Sequence, residues 1–236
     1  MKTAIMQPYV FPYLGYFQLV GAVDSFVFFN DVNYIKKGWI NKNQIIQNNT
    51  IIKFTIPLSN VSQNSLICDV MISDYTKWRT DFIKNLTFSY KKAPHFASAN
   101  ELITSILNEK DFTSIDELAQ ISVKRIANYL GLKTNFLISD KIDYNRDQCE
   151  SGQEKILNIT KKLNATSYIN PINGQELYDR TNFKENNLEL HFIKMRPITY
   201  KQFGNNEFIP YMSIIDVLMF NSKEEISVML KEYDLV

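Results

Sequence analysis

The chain is poor in the residues that build metal centres and disulfide frameworks. Its 236 residues include only two cysteines and two histidines, and no Cys-x-x-Cys or Cys/His spacing of a zinc site occurs. We expect Cys68 and Cys149 to be reduced thiols without a catalytic role. The sequence therefore predicts no bound metal and no cofactor.

The common signatures of phosphate binding and nucleophilic catalysis are also missing. The sequence contains no Walker loop, no Gly-x-Gly-x-x-Gly fingerprint and no Gly-x-Ser-x-Gly elbow. It lacks the Asp-x-Asp pair that holds a metal in many glycosyltransferases, and "NDVN" at 30–33 is the nearest imitation. The missing Asp-x-Asp pair makes a glycosyltransferase less expected. It does not exclude one, because some glycosyltransferases work without a metal.

Charge of one sign is not in excess. The formal net charge is +1, with 45% hydrophobic and 22% charged residues, so no global field attracts nucleic acid or an anionic membrane. The apolar start, residues 1–20, resembles a signal peptide, but Gln7, Pro8 and Pro12 interrupt it. No apolar run reaches the ~20 residues that a membrane span needs. We expect a cytoplasmic protein with one α/β domain over residues 1–236.

What the sequence does contain is an alternation of apolar strand and helix patterns. Strands at 3–6 and 25–29 flank a helix that follows Pro12, and strands at 135–139 and 166–170 flank a helix at 151–165. Such βαβ-like units predict an α/β fold with a Rossmann-like, mostly parallel sheet and flanking helices. The other predicted elements are a hairpin of strands 50–58 and 65–72 with a turn at 59–64, a helical insertion over about 75–132, a late strand at 188–195, and helices at 211–221 and 223–233.

The loop after the first strand is the first candidate site. In nucleotide-binding α/β folds this turn meets the N-terminus of the next helix, whose backbone N–H groups can bind phosphate. The candidate contacts are Gln7, Tyr13 and Tyr16, with Gly15 as the only glycine of the loop. The alternative is a Pro-rigid aromatic turn that packs on the core.

The stretch "NDVNYIKKGWINKNQI", residues 30–45, is the second candidate. It places amides, lysines and an indole directly after a buried strand. Lysines can bind phosphate, amides can bind hydroxyl groups, and Trp39 offers a flat face to a base or a sugar. A strand from Gly38 to Ile45 would place Trp39, Asn41 and Asn43 on one face. The other candidate contacts are Asn33, Lys36, Lys37 and Lys42; the alternative is a solvated turn.

The third candidate is the stretch at 168–183, which contains the strong turn signal Asn173-Gly174. It follows a strand, and loops at the carboxyl ends of strands are where α/β folds bind ligands. Asn170, Asn173 and Tyr178 would be its contacts, and an ordinary polar turn is the alternative.

Few residues qualify as acids or bases. Asp31, His191 and Lys37 are the candidate catalytic residues, although a lone strand histidine is more often structural. Asp216 is a carboxylate in a nearly all-apolar helix, so it is either a structural anchor or a site acid.

Two long strings resemble a known family. "IMQPYVFPYLGYFQLVGAVDSFVFFNDVNYIKKGWINKNQI" and "FIPYMSIIDVLMFNS" are similar to the opening and closing segments of the WbqC-like family. The residues that carry the resemblance are Gln7, Pro8, Pro12, Gly15, Tyr16, Asp31, Lys36, Lys37, Gly38, Trp39, Asn41, Gly174, Asp216 and Asn221. Pro171 and Ile172 depart from the small residues of the family at that turn, which weakens the expectation of a close phosphate contact there.

The resemblance implies a transferase of bacterial O-antigen or other surface-polysaccharide biosynthesis. Its implied substrate is a nucleotide-linked deoxyamino sugar, whose amine would receive an aminoacyl group, such as glycyl, or an acyl group. The implied second partner is an activated amino-acid or acyl donor, which includes a charged tRNA that a lysine patch at Lys84, Lys91 and Lys92 would contact. A metal-independent glycosyltransferase and a non-catalytic sugar-binding protein of the same pathway stay open as alternatives.

Overall fold

The structure is a computed structural model that describes residues 1–59, 61–62, 64–204 and 207–236. The strands of these ranges are β1 Lys2–Met6, β2 Ser25–Phe28, β3 Lys42–Gln47, β4 Thr50–Thr55, β5 Leu58–Ser59, β6 Met71–Ile72, β7 Asn135–Ile138, β8 Ser167–Pro171, β9 Glu189–Met195 and β10 Tyr233–Leu235. The α-helices are α1 Leu14–Gly21, α2 Tyr75–Tyr90, α3 Phe96–Leu107, α4 Ile115–Tyr129, α5 Gly152–Lys162, α6 Arg180–Glu185, α7 Ile214–Phe220 and α8 Lys223–Met229.

A six-stranded sheet organises the fold, with the order β10-β9-β8-β1-β2-β7. Neighbouring strands from β7 to β9 are parallel, and β10 is antiparallel to β9. Counted along the chain within this sheet, the order is 3-2-1-4-5-6, which is that of doubly wound nucleotide-binding folds. The prediction of a Rossmann-like, mostly parallel α/β sheet is therefore confirmed.

Apolar side chains cover both faces of the sheet. All four residues of β2 are buried, as expected for a central parallel strand that reads as a continuous apolar run. One face packs Ala4, Phe26 and Phe28 into a large cluster that includes α1 and the helices of the predicted insertion. The other face packs Ile5 and Val27 against α5 and α6.

The predicted hairpin of residues 50–58 and 65–72 is wrong in its pairing. β4 pairs with β3 through a two-residue turn at Asn48 and Asn49, both at positive φ, and this geometry suits a tight hairpin. Only Leu58–Ser59 and Met71–Ile72 pair across the expected turn, in which Asn60 and Gln63 lie outside the described residues. A strand from Gly38 to Ile45 was considered for the polar stretch, but β3 begins only at Lys42, and its pairing with β4 was not predicted.

Two smaller expectations differ from the structure. β7 and β8, which flank the second predicted βαβ-like unit, are parallel but not adjacent, because β1 and β2 lie between them. The helix predicted at 223–233 ends earlier, as α8 at Met229, and β10 begins at Tyr233, the last residue of the predicted range.

The helical insertion is confirmed as α2, α3 and α4, and Gly131 ends the last of them at a φ of +79°. No helix within the described ranges is long and apolar enough to cross a membrane. The division of the chain into domains stays a prediction.

Candidate functional site

A cavity of about 770 Å³ opens at the carboxyl end of the sheet, where the strand order reverses between β1 and β8. Met6 and Gln7 line it from the end of β1, and Asn170 and Pro171 line it from the end of β8. At such a switch point the two connections leave in opposite directions and open a crevice. The topology thus places the cavity where doubly wound proteins bind their ligands.

Aromatic rings and side-chain amides make up much of the lining. The rings belong to Tyr9, Tyr13, Tyr16, Phe29, Trp39, Tyr178 and Tyr211, and the amides to Gln7, Asn43, Gln44, Gln153, Asn170 and Asn173. No Asp, Glu, Lys, Arg or His of the described chain lines this cavity. A lining of this composition can stack on flat or apolar faces and can exchange hydrogen bonds with hydroxyl groups.

Four phenols of the cavity, those of Tyr9, Tyr13, Tyr16 and Tyr178, stay protonated at neutral pH. Burial raises the pKa of Tyr9, Tyr13 and Tyr178, and it raises that of Tyr16 well above its usual range. A buried phenolate would lack the solvation that its charge needs. These side chains are therefore neutral hydrogen-bonding groups, and the lining as a whole carries no formal charge.

The loop between β1 and α1 is rigid at its centre. Phe11 is buried and has a φ of +46°, a conformation that strains a bulky residue. Its carbonyl oxygen accepts hydrogen bonds from Asn43 Nδ2 and from Ser213 Oγ, each at 2.7 Å, and its N–H donates to Ser122 Oγ at 3.3 Å. Three distant segments thus hold this strained residue, which fixes the loop before any ligand arrives.

Gly15 determines where the ring of Tyr13 lies. A Cβ atom at residue 15 would approach Tyr13 Cε2 to 2.4 Å, so only glycine leaves room for the ring beside the first turn of α1. The Tyr13 ring meets the Tyr211 ring edge-on at a centroid distance of 6.5 Å. The backbones of Tyr13 and Ser213 form an antiparallel bridge, so the two strings with family resemblance meet at the cavity.

The loop after β8 is built around Asn170. The side-chain oxygen of Asn170 accepts a hydrogen bond from the Tyr168 hydroxyl at 3.0 Å, and its Nδ2 donates to the Pro171 carbonyl at 3.1 Å. Gly174 packs on this amide so closely that a Cβ there would lie 2.1 Å from Nδ2. Gln153 Oε1 accepts from the Asp179 N–H at 2.7 Å and joins this loop to α5.

Helices α1 and α5 both begin at the cavity. Tyr13 and Tyr16 line it from the start of α1, and Ser151, Gly152 and Gln153 line it from the start of α5. Ser151 Oγ caps the N–H of Glu154, while the N–H groups of Gly152 and Gln153 have no acceptor among the described residues. The positive ends of two helix dipoles therefore favour an anionic group at this end of the cavity.

The structure brings together part of the predicted site. All three candidate stretches contribute to the one cavity, although they are far apart in sequence. The predicted residues that line it are Gln7, Tyr13, Tyr16, Trp39, Asn43, Asn170, Asn173, Gly174 and Tyr178.

Two predicted residues of the stretch at 30–45 are buried outside the lining. Asp31 accepts hydrogen bonds from the Ser139 hydroxyl and, at 2.6 Å, from the Tyr144 hydroxyl. Asn41 accepts from the Tyr34 hydroxyl at 2.7 Å and donates to the Ile56 carbonyl at 2.8 Å. The expected shared face of Trp39, Asn41 and Asn43 therefore does not form, since β3 begins only at Lys42.

The remaining predicted contacts of that stretch also lie outside the lining. Asn33, Lys36 and Lys37 are exposed, and Lys42 at the start of β3 is half-buried. Neither Lys36 nor Lys37 forms an ion pair in the part of the chain that the structure describes. Both belong to the segment between β2 and β3 that also carries the lining residue Trp39.

The other two ionisable candidates also lie outside the lining. His191 Nε2 is 3.3 Å from Glu189 Oε2, and both residues belong to β9. The carboxylate of Asp216 is fully buried and accepts hydrogen bonds from the hydroxyls of Tyr90 and Tyr200 and from Gln202 Nε2. Burial raises the pKa of Asp216, and the three donors oppose that rise. The contacts of Asp216 are those of an anchor between α7, α2 and the segment before α7.

Sequence reasoning missed several lining residues, notably Tyr9, Gln44, Gln153 and Tyr211. Tyr9 lies two residues after Gln7, and Gln44 is adjacent to Asn43, so both are close to predicted contacts. Gln153 could be found only with the strand order, which places the start of α5 at the switch point. Tyr211 belongs to the second string with family resemblance, and only the fold shows that this part of the string reaches the cavity.

One comparison with known proteins identifies the family. The family model of the WbqC-like protein family matches residues 7–228, which is nearly the whole chain. The chain belongs to the WbqC-like family. The match includes the loop after β1 and the segment around Tyr211, so both walls that meet at Tyr13 lie within the family region.

A relative of this WbqC-like protein occurs in Mycobacterium tuberculosis (strain ATCC 25618 / H37Rv). It is named there as the uncharacterized protein Rv1507c, and it is 28% identical over 221 residues, covering 93% of each chain. No solved structure matches the chain. The family is therefore shown by sequence, and the cavity is described from this structure alone.

Proposed function

We propose that this WbqC-like protein is a transferase that acts on a nucleotide-linked sugar of bacterial surface-polysaccharide biosynthesis. In its most concrete form, the protein joins an acyl or aminoacyl group to the amine of a deoxyamino sugar. The observation that carries the proposal is the uncharged cavity of rings and amides at the sheet switch point. The surface-polysaccharide context is what the resemblance to the WbqC-like family implies, and it is part of the proposal.

The chemistry of the lining supports a sugar linked to phosphate. Trp39 and Tyr178 present rings that can stack on the apolar faces of a sugar or a base, and Gln7 and Asn173 present amides for hydroxyl groups. The free N–H groups at the start of α5 suit a phosphate. A cavity of about 770 Å³ lies within the range of sites for small molecules and cofactors.

Acyl transfer needs the amine in its neutral form. The nitrogen lone pair attacks the carbonyl carbon of an activated acyl or aminoacyl ester; the C–N bond forms, the C–O bond to the donor breaks, and the nitrogen proton passes to the departing oxygen. Removal of an ammonium from water, with no carboxylate in the described lining to pair with it, lowers its pKa. The cavity thus favours the nucleophilic amine by desolvation.

Calorimetric titration with a panel of nucleotide sugars tests the proposal. We expect an amino-sugar nucleotide to bind, and we expect Trp39→Ala and Asn173→Ala to weaken the binding at least tenfold, a loss of about 1.4 kcal/mol. Phe88→Ala and Asn85→Ala are matched controls, because both residues are exposed on α2 and neither lines the cavity. An absence of binding to every nucleotide sugar would refute the proposal.

A non-catalytic sugar-binding protein is the second candidate. The observation that favours it is that Asp31, His191 and Lys37, the candidate catalytic residues, all lie outside the lining. Mass spectrometry of the bound sugar after addition of an activated acyl or aminoacyl donor separates the two. A mass gain that Trp39→Ala reduces supports the transferase, whereas tight binding without any product supports the binding protein.

A further inference from the structure

The mouth of the cavity is surrounded by exposed apolar side chains. Trp39, Leu177 and Tyr211 all line the cavity, and they are 44%, 72% and 66% exposed. They come from three separate segments: the turn before β3, the loop after β8 and the segment before α7. Single exposed apolar residues are common, but a group around one opening marks a surface that contacts something.

Cationic side chains accompany this apolar group. The turn that carries Trp39 also exposes Lys36 and Lys37, together with Ile35 at 50%. As described above, neither lysine pairs with an acid of the described chain. Since the net charge of the protein is only +1, attraction to an anionic surface has to come from local charges such as these.

We propose that the cavity rim, defined as Ile35–Trp39 with Leu177 and Tyr211, docks on an anionic lipid surface. Trp and Tyr side chains concentrate at the headgroup level of membranes, and lysines beside them are attracted by anionic headgroups. The unpaired lysines supply the charge complementarity, and the apolar side chains supply the insertion. Three points from separate segments define a plane, so contact at all three would turn the cavity mouth toward the lipid surface.

Charge complementarity selects the lipid surface over a ligand confined to the cavity. A ligand held by the neutral lining does not require Lys36 and Lys37, because both lie outside that lining. It also leaves Ile35 without a contact, since Ile35 is exposed but does not line the cavity. An anionic bilayer contacts all of these side chains at once. The proposal does not rest on the transferase chemistry, since docking requires only the rim.

Co-sedimentation with vesicles tests the docking. The full chain is mixed with phosphatidylcholine vesicles with and without phosphatidylglycerol, at low and at raised salt. We expect binding only to the vesicles that contain phosphatidylglycerol, and weaker binding at raised salt. Lys36→Ala with Lys37→Ala should lower the partition coefficient by about 25-fold, roughly fivefold for each lysine. Trp39→Ala should lower it by roughly tenfold.

Strand β4 provides a matched control. Ile51 and Ile52 are 47% and 39% exposed and do not line the cavity, so they offer exposed apolar side chains outside the rim. Ile51→Ser with Ile52→Ser should leave vesicle binding unchanged; Lys53 is kept, because it pairs across the hairpin with the lining residue Gln44. Circular dichroism of every variant verifies that the fold is intact, which is expected because all substituted side chains are exposed.

Three results would overturn the proposal. The first is that the protein does not bind anionic vesicles. The second is that the β4 control variant weakens vesicle binding as much as the rim variants do. The third is that Trp39→Ala leaves vesicle binding intact. If Trp39→Ala weakens only the binding of a soluble nucleotide sugar, the rim belongs to the sugar site and not to a lipid contact. Vesicle binding without any nucleotide-sugar binding would uphold the docking and refute the proposed function.

Discussion

Gly174→Ala should destabilise the protein although alanine is normally the easier residue to order. The added methyl group would lie 2.1 Å from Asn170 Nδ2, closer than nonbonded atoms approach, so the buried amide has to move. That movement breaks its hydrogen bonds to the Tyr168 hydroxyl and the Pro171 carbonyl. Two such bonds contribute about 2 kcal/mol, and the entropy of the unfolded chain returns about 0.4–1 kcal/mol. The expected net loss in the free energy of unfolding is about 1–1.5 kcal/mol.

Urea unfolding of a double-mutant cycle measures this effect. In the Asn170→Ala background the amide is gone, and the next atom near the new methyl group is Tyr178 Cε2 at 3.7 Å, an ordinary contact. Gly174→Ala should then stabilise by about 0.4–1 kcal/mol, so its effect changes sign between the two backgrounds. Gly174→Ala in the otherwise unchanged protein should also weaken ligand binding, because it displaces Asn170, which lines the cavity.

Gly152→Ala is the control for the general effect of replacing glycine. Gly152 also lines the cavity, but no atom lies within 4 Å of an added Cβ, and the residue is at the start of α5. We expect this variant to gain about 0.5–1 kcal/mol. A Gly174→Ala protein that is as stable as the Gly152→Ala protein, in both backgrounds, would refute the account of Asn170.

Three further outcomes are expected. Burial raises the pKa of Asp216 above its unfolded value of 3.8, so between the unfolded and the folded pKa the unfolded chain has released a proton that the folded chain still holds. The free energy of unfolding should therefore fall as pH rises through this window. Asp216→Asn should abolish this part of the pH dependence in urea titrations. Gly15→Ala should displace the Tyr13 ring and weaken ligand binding in calorimetry, and unchanged affinity would contradict the role of Gly15. Binding of an amino-sugar nucleotide should strengthen as pH rises toward the pKa of its amine, while a neutral-sugar analogue shows no such trend; equal pH profiles would contradict the neutral-amine account.

The regular elements of the sheet were predictable because their signals are local. β2 is a continuous apolar run, and the strands and helices from β7 to β9 show clear periodicity. Pairing was less predictable, because β3 consists of residues that also suit a binding loop. Its partner β4 could have been recognised from Asn48-Asn49, a pair that accepts positive φ in a tight hairpin.

The candidate site was predictable in its segments and less so in its residues. Trp39 and Asn43 line the cavity whereas Asn41 turns inward, and this choice depends on where β3 begins. The contribution of α5 depends on β8 lying beside β1, a long-range arrangement that no local pattern encodes. The buried bonds of Asp31 and Asp216 likewise depend on hydroxyls that come from distant segments.

The bridge between the two ends of the chain has a consequence for the order of folding. The bond from Ser213 Oγ to the Phe11 carbonyl joins residues 202 positions apart, so a wall of the cavity forms only once all but the last 23 residues of the chain have been made. Contacts of such long sequence separation carry a high entropic cost and form late. We therefore expect ligand binding to be acquired last during refolding, after the helical signal has recovered. Fragments that end before Ser213 should show secondary structure without any ligand affinity.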